Sequence, residues 1–176
     1  MALFEGFKQP LPIPLVVVQH IRPHGVPPLV KALASRCCMP IEIVQEGDCL
    51  RAGVIYIASS NNQHLSILHH AQRGLVANYT DEEKSEHCRP AVNVLFASMA
   101  RLAPQFKAIA VVLTGMGKDG AQGAEQLVKS GSVVIVQDES SAVVWGMPRA
   151  VVEVGAAHKV LSIEQIAIEI ERLAAV

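Results

Sequence analysis

The chain carries no excess of charge, with 15 Lys and Arg against 16 Asp and Glu and a net charge of -1. That balance gives no broad cationic face, so neither nucleic acid nor an anionic membrane surface is an expected partner. No apolar run is long enough to cross a bilayer. Residues 1–14 contain no cationic stretch followed by a long apolar one, so no secretory leader is expected. The four cysteines, Cys37, Cys38, Cys49 and Cys88, lack metal-ligand spacing and read as reduced thiols rather than as a disulfide framework. There is also no internal repeat, low-complexity tract or linker to mark a second domain. These absences leave one cytoplasmic domain spanning residues 1–176, for which no metal and no cofactor is expected.

What is present is apolar and alternating. The composition is 51% hydrophobic and only 18% charged, as expected of strands buried on both faces of a parallel sheet. Residues 1–9 read as the tail of a helix stopped by Pro10, Pro12 and Pro14. Leu15 to Val18 is a short β-branched strand that ends at Gln19-His20 and the turn-rich Arg22-Pro23-His24-Gly25. Helical spacing over residues 26–38 is followed by strands at 41–44 and 54–58 and by a hairpin pairing 65–68 with 75–79. Pro90 suits the first turn of a helix reaching about Leu102. Strands at 108–113 and 132–136 flank a helix over 121–130, another helix opens at Met147-Pro148-Arg149, and an amphipathic helix covers 163–174. The pattern predicts an α/β fold, doubly wound and Rossmann-like in three layers, with a mainly parallel sheet and one antiparallel hairpin.

The stretch Leu113-Thr114-Gly115-Met116-Gly117-Lys118-Asp119-Gly120 sits between a strand and a helix, where α/β proteins gather their chemistry. Two chemistries fit it. Gly115-x-Gly117-x-x-Gly120 satisfies a dinucleotide fingerprint, with Asp138 near the ribose-binding spacing. Against that, Asp119 places a carboxylate at the helix start where a pyrophosphate belongs. Alternatively, Asp119 is the orienting carboxylate of a hydrolytic triad. His20 is then the general base and the turn's amides are oxyanion donors, because both residues follow buried strands at their carboxyl ends.

Several motifs occur in order: Gln19-His20-Ile21-Arg22-Pro23-His24-Gly25, Tyr56-Ile57-Ala58 with His64, the run His87 to Phe96, Leu113 to Gly120, and Trp145-Gly146-Met147-Pro148-Arg149. Together they resemble the catalytic domain of the chemotaxis protein-glutamate methylesterases, the CheB family, over nearly the whole chain. The resemblance implies hydrolysis of receptor glutamyl methyl esters, with glutamine deamidation in many members. It implies His20 and Asp119 as triad residues, the Met116 amide as an oxyanion donor, and the cytoplasmic part of methyl-accepting chemoreceptors as partner. Arg89 and Arg149 are weaker candidates for binding substrate carboxylates, and His64 for lining the crevice. Trp145-Gly146-Met147 reads as an apolar wall or as core.

One part of the pattern is missing. The family's nucleophile lies in a Gly-Ala-Ser-Thr-Gly-Gly turn upstream of the segment that matches residues 1–14, and the sequence holds no such turn. Ser59 and Ser60 follow a strand, and Ser140 and Ser141 lie in a connector, but none has the glycine-flanked elbow that exposes a nucleophile. The expectation is therefore an N-terminally truncated domain without a receiver domain, almost inert as given. It either holds the base and acid halves of a triad or serves as a non-catalytic receptor-binding or scaffolding module. Loss of a central strand predicts open sheet edges, and with them a homodimer or a rearranged sheet.

Overall fold

A computed structural model describes residues 2–59, 62–81 and 88–175. Helix α1 (Ala2–Gly6) leads through the proline segment into β1 (Leu15–Val17), a 3-10 turn at Pro23–Gly25 and α2 (Val26–Ala34). Strands β2 (Ile41–Val44) and β3 (Ile55–Ala58) precede the hairpin β4 (His64–His70) and β5 (Gly74–Thr80). Then follow α3 (Val92–Leu102), β6 (Ile109–Val112), α4 (Ala121–Lys129), β7 (Val133–Gln137), α5 (Gly146–Glu153), β8 (Lys159–Leu161) and α6 (Ile163–Ala174).

The parallel strands form two three-stranded ladders, ordered β1-β3-β2 and β6-β7-β8. Alternation along the strands sends side chains into two apolar layers. Val44, Tyr56, Val112, Val134 and Val136 enter one, and Ile55, Ile57 and Ile135 enter the other. Both ladders therefore feed the same two layers, which is why their strands read as continuous apolar runs rather than as alternating ones. Helices α3, α4 and α5 supply Leu95, Phe96, Leu127 and Val151 to the first layer, while α1, α2 and α6 supply Phe4, Leu33 and Ile166 to the second. Helices α3 and α4 approach closely, since a Cβ at Gly123 would lie 2.6 Å from Phe96 Cβ and 3.1 Å from the Asn93 carbonyl.

Three local readings change. Pro90 is not in the first turn of α3, because that helix begins at Val92 with Ala91 as its N-cap, and the Arg89–Pro90 bond is cis. The hairpin is longer than a pairing of 65–68 with 75–79, because His69 and His70 close β4, paired with Leu75 and Gly74. Strand β8 was not legible at all. It has three residues and is largely exposed, so it lacks the buried apolar run that betrayed the others.

Candidate active site

β1 and β6 end on the same side of the molecule. His20 follows β1, and the turn Leu113 to Gly120 follows β6. The two meet across a sequence separation of 99 residues, with His20 Nε2 donating to Asp119 Oδ2 at 2.9 Å. The His20 side chain is 26% exposed and that of Asp119 11%, so the pair forms the floor of an accessible site.

Asp119 has a second task. Oδ2 also accepts the Val92 N–H at 2.7 Å, and Oδ1 accepts the Asn93 N–H at 2.9 Å. These are the first two helical residues of α3, whose amides have no acceptor within the helix. Asp119 thus caps α3 rather than α4, the helix it precedes. Asn93 returns the arrangement, its Oδ1 accepting from Gly120 at 3.0 Å and Gly123 at 2.8 Å at the start of α4. The two helices cap each other through one Asp and one Asn. Burial pushes the Asp119 carboxyl up, but the hydrogen bonds from His20, Val92 and Asn93 outweigh it and hold the group below its ordinary value. Asp119 is therefore an anion throughout the physiological range.

The turn itself is pinned from three sides. Gln137, 3% exposed at the end of β7, accepts the Thr114 N–H with Oε1 at 2.8 Å and spends its amide nitrogen on the Ser141 carbonyl and hydroxyl. Gly115 donates to the Val144 carbonyl at 2.9 Å and accepts from the Met147 N–H at 2.8 Å. Gly146 fills the remaining space. A Cβ there would stand 2.8 Å from the Gly115 carbonyl, 3.2 Å from the Gly117 nitrogen and 3.3 Å from Met116 Cα, so only glycine lets α5 start against the turn. With Thr114 and Gly115 so held, the N–H groups of Met116 and Gly117 have no acceptor among the described residues. They are free to receive a developing negative charge.

The other candidates have partners of their own. Arg89 Nη1 donates to the Asn62 carbonyl at 3.1 Å, and Arg149 Nε pairs with Glu153 at 2.7 Å along the exposed face of α5. Neither guanidinium joins the His20–Asp119 pair. His64 is buried, and its Nδ1 accepts the Ala91 N–H at 3.1 Å, which anchors the approach to α3. Trp145 donates its indole N–H to the Gln137 carbonyl at 2.9 Å, tying the apolar wall to β7. The Ser59 N–H donates to the Tyr79 hydroxyl, and the Ser140 and Ser141 hydroxyls both donate to Asp138. Ser60 lies outside the described residues. Among the described residues the one side-chain partner of His20 is Asp119, and no hydroxyl bonds its other ring nitrogen. Sequence reasoning missed Asn93 and Gln137. A polar residue opening a helix and another closing an apolar strand were the available signals.

The model of the CheB methylesterase family matches residues 1–170. The chain belongs to the CheB methylesterase family. It is 37% identical over 170 residues to a protein-glutamate methylesterase/protein-glutamine glutaminase of Trichodesmium erythraeum, covering 97% of this chain and 47% of that protein. A protein of the same description from Pseudoalteromonas translucida is 38% identical over 91% of this chain and 40% of its own length. The chain thus spans less than half the length of these relatives. The structure resembles that of the Thermotoga maritima CheB methylesterase catalytic domain, with a TM-score of 0.89 and 32% identity, over 98% of this chain and 90% of that one. That membership, with the geometry of α4, disposes of the dinucleotide reading. Two of the amides at the start of α4 that would face a pyrophosphate, those of Gly120 and Gly123, are already taken by Asn93, and Asp138 spends both oxygens on Ser140 and Ser141.

Proposed function

We propose that this chain is a CheB-type, chemoreceptor-directed methylesterase domain of the cytoplasm. On this reading it holds the base and acid halves of the hydrolytic site and no serine nucleophile. The 2.9 Å bond between His20 Nε2 and Asp119, beside the unoccupied Met116 and Gly117 amides, carries the reading. Asp119 fixes the ring and its tautomer, so Nδ1 is the nitrogen left to accept a proton. Attack of an oxygen nucleophile on a glutamyl methyl ester places negative charge on the carbonyl oxygen, and the two amides receive it. His20 takes the nucleophile's proton and returns it to the departing methoxide, so methanol leaves. With water as nucleophile the other product is the glutamate carboxylate with one released proton.

The sequence contains no Gly-x-Ser-x-Gly elbow. Loss of a triad nucleophile costs on the order of a millionfold in kcat. The chain by itself is accordingly almost inert, and its residual role is receptor binding. That is also the second reading, a non-catalytic module of the same fold, and the absent elbow is what favours it. A serine-reactive fluorophosphonate with intact-mass readout tests the point. No adduct is expected, and a stoichiometric adduct lost in His20→Ala would show a complete triad.

The same reading includes self-association. Among the described residues β1 pairs only with β3 and β6 only with β7, which leaves each with an open edge suited to another chain. Light scattering at high concentration is expected to give a dimer, and a clean monomer would contradict this part.

A further inference from the structure

Building on that function, we infer that Met116 and Val143 form an apolar shelf at the mouth of the site, flanked by Arg22 and Lys118. The shelf selects a receptor segment whose glutamyl ester is bordered by apolar side chains and then by carboxylates. Met116 is 81% exposed and Val143 90%. Single exposed apolar residues need no explanation, but these two leave one pinned pair of loops. Gly115 donates to the Val144 carbonyl at 2.9 Å, and the Val144 N–H donates to Thr114 Oγ1 at 2.8 Å, so the residues next to Met116 and Val143 are tied together. A hydrogen-bonded backbone beneath apolar side chains is a preorganised contact surface, because little ordering remains to be done on binding.

The substrate's geometry supplies the occupant. A glutamyl side chain is short, and the His20–Asp119 floor it must reach is itself partly exposed, so the substrate backbone has to run across the rim. Its neighbouring side chains then lie on Met116 and Val143. Charge narrows the choice further. Arg22 is two residues from His20 and Lys118 adjoins Asp119, and neither has an ion-pair partner among the described residues. Two unneutralised cations beside the floor favour carboxylates on the incoming segment and give its association a salt dependence.

Three fluorescein-labelled peptides test this by anisotropy. Each carries one γ-methyl glutamate. In the first it lies between leucines with glutamates beyond, in the second serines replace the leucines, and in the third glutamines replace the outer glutamates. The first should bind the wild-type chain best. The double variant Met116→Ser, Val143→Ser should weaken it by about tenfold or more, in keeping with the loss of two apolar contacts, and should abolish its preference over the serine peptide. Arg22→Glu, Lys118→Glu should remove the preference for glutamates and flatten the salt dependence. Circular dichroism melts matching wild type verify that the variants are folded. Equal affinity of wild type and the Met116, Val143 variant for the leucine peptide would overturn the shelf while leaving the receptor reading intact. Failure of wild type to bind any peptide, and equally a purified chemoreceptor cytoplasmic fragment, would overturn the functional reading and the shelf with it.

Discussion

Replacing Asp119 with alanine removes three hydrogen bonds at once, from Val92, Asn93 and His20. The two amides are the costly loss, because they open α3 beside the core residues Val92 and Leu95. Removing a helix cap costs about 0.5–2 kcal/mol, and a hydrogen bond to a charged group about 1.5–3 kcal/mol. The His20 bond adds little, because that ring is partly exposed and solvent screens it. Asp119→Ala should therefore lower stability by about 2–4 kcal/mol, which for a chain of this size moves Tm by roughly 5–15 °C. Asp119→Asn keeps one acceptor but turns an N–H toward a donor, so it should fall between wild type and alanine. His20→Ala is the control, and should cost about 1 kcal/mol or less.

The assay is urea unfolding, compared at constant m. The carboxyl is held below its ordinary value of 3.8, so its contribution is fully present above that pH and is lost as pH falls through the depressed value. The gap between wild type and Asp119→Ala should be level from about pH 5 to 8 and narrow in more acidic solution. Should Asp119→Ala prove no more costly than His20→Ala, the mutual capping of α3 and α4 is wrong, and Asp119 serves only its histidine.

Other consequences are quicker to check. Asn93→Ala, which strips the α4 amides, should cost about 1–2 kcal/mol, and its effect should fail to add to that of Asp119→Ala, since the two caps share one helix junction. Gly146→Ala should cost about 1–3 kcal/mol in calorimetry and shift the Met116 and Gly117 amide resonances while leaving α6 unmoved. Gln137→Leu leaves the Thr114 N–H without its acceptor and should cost about 1–3 kcal/mol by urea unfolding. At the far end of the fold, Arg172 first and Lys159 second hold Glu169 at about 2, so its carboxylate resonance should titrate only near that pH. Their support to α6 should accordingly be complete above the ordinary value of 4.5 and be lost progressively as the pH falls from there toward about 2.

That His20 and Asp119 meet was legible because their placement obeys a simple rule. His20 and Asp119 each follow a short apolar, valine-rich strand, and a doubly wound sheet brings such ends together. The direction of Asp119's bonding was not legible. A carboxylate just before a helix suggests a cap on that helix, yet the close approach of α3 and α4 at Gly123 makes the neighbouring helix the nearer acceptor of the charge. Asn93 and Gln137 escaped for the same reason, because their partners lie 23 to 30 residues away and only tertiary packing identifies them. Arg89 and Arg149 had partners that the motifs did not reveal. Each sits in a motif shared with the family, but the structure commits one to a loop carbonyl and the other to its own helix.

Methanol release tests most directly whether His20 and Asp119 are a base and its orienting acid waiting for a nucleophile. With a γ-methyl-glutamyl receptor peptide and added hydroxylamine, attack yields the hydroxamate and methanol, with His20 carrying the proton from nucleophile to leaving group. The wild-type chain should release methanol without a burst. Hydroxylamine should accelerate that release by about a hundredfold more than it does in His20→Ala, the low end of general acid–base catalysis. Identical rates in wild type and His20→Ala, or a stoichiometric methanol burst in the absence of hydroxylamine, would contradict the account.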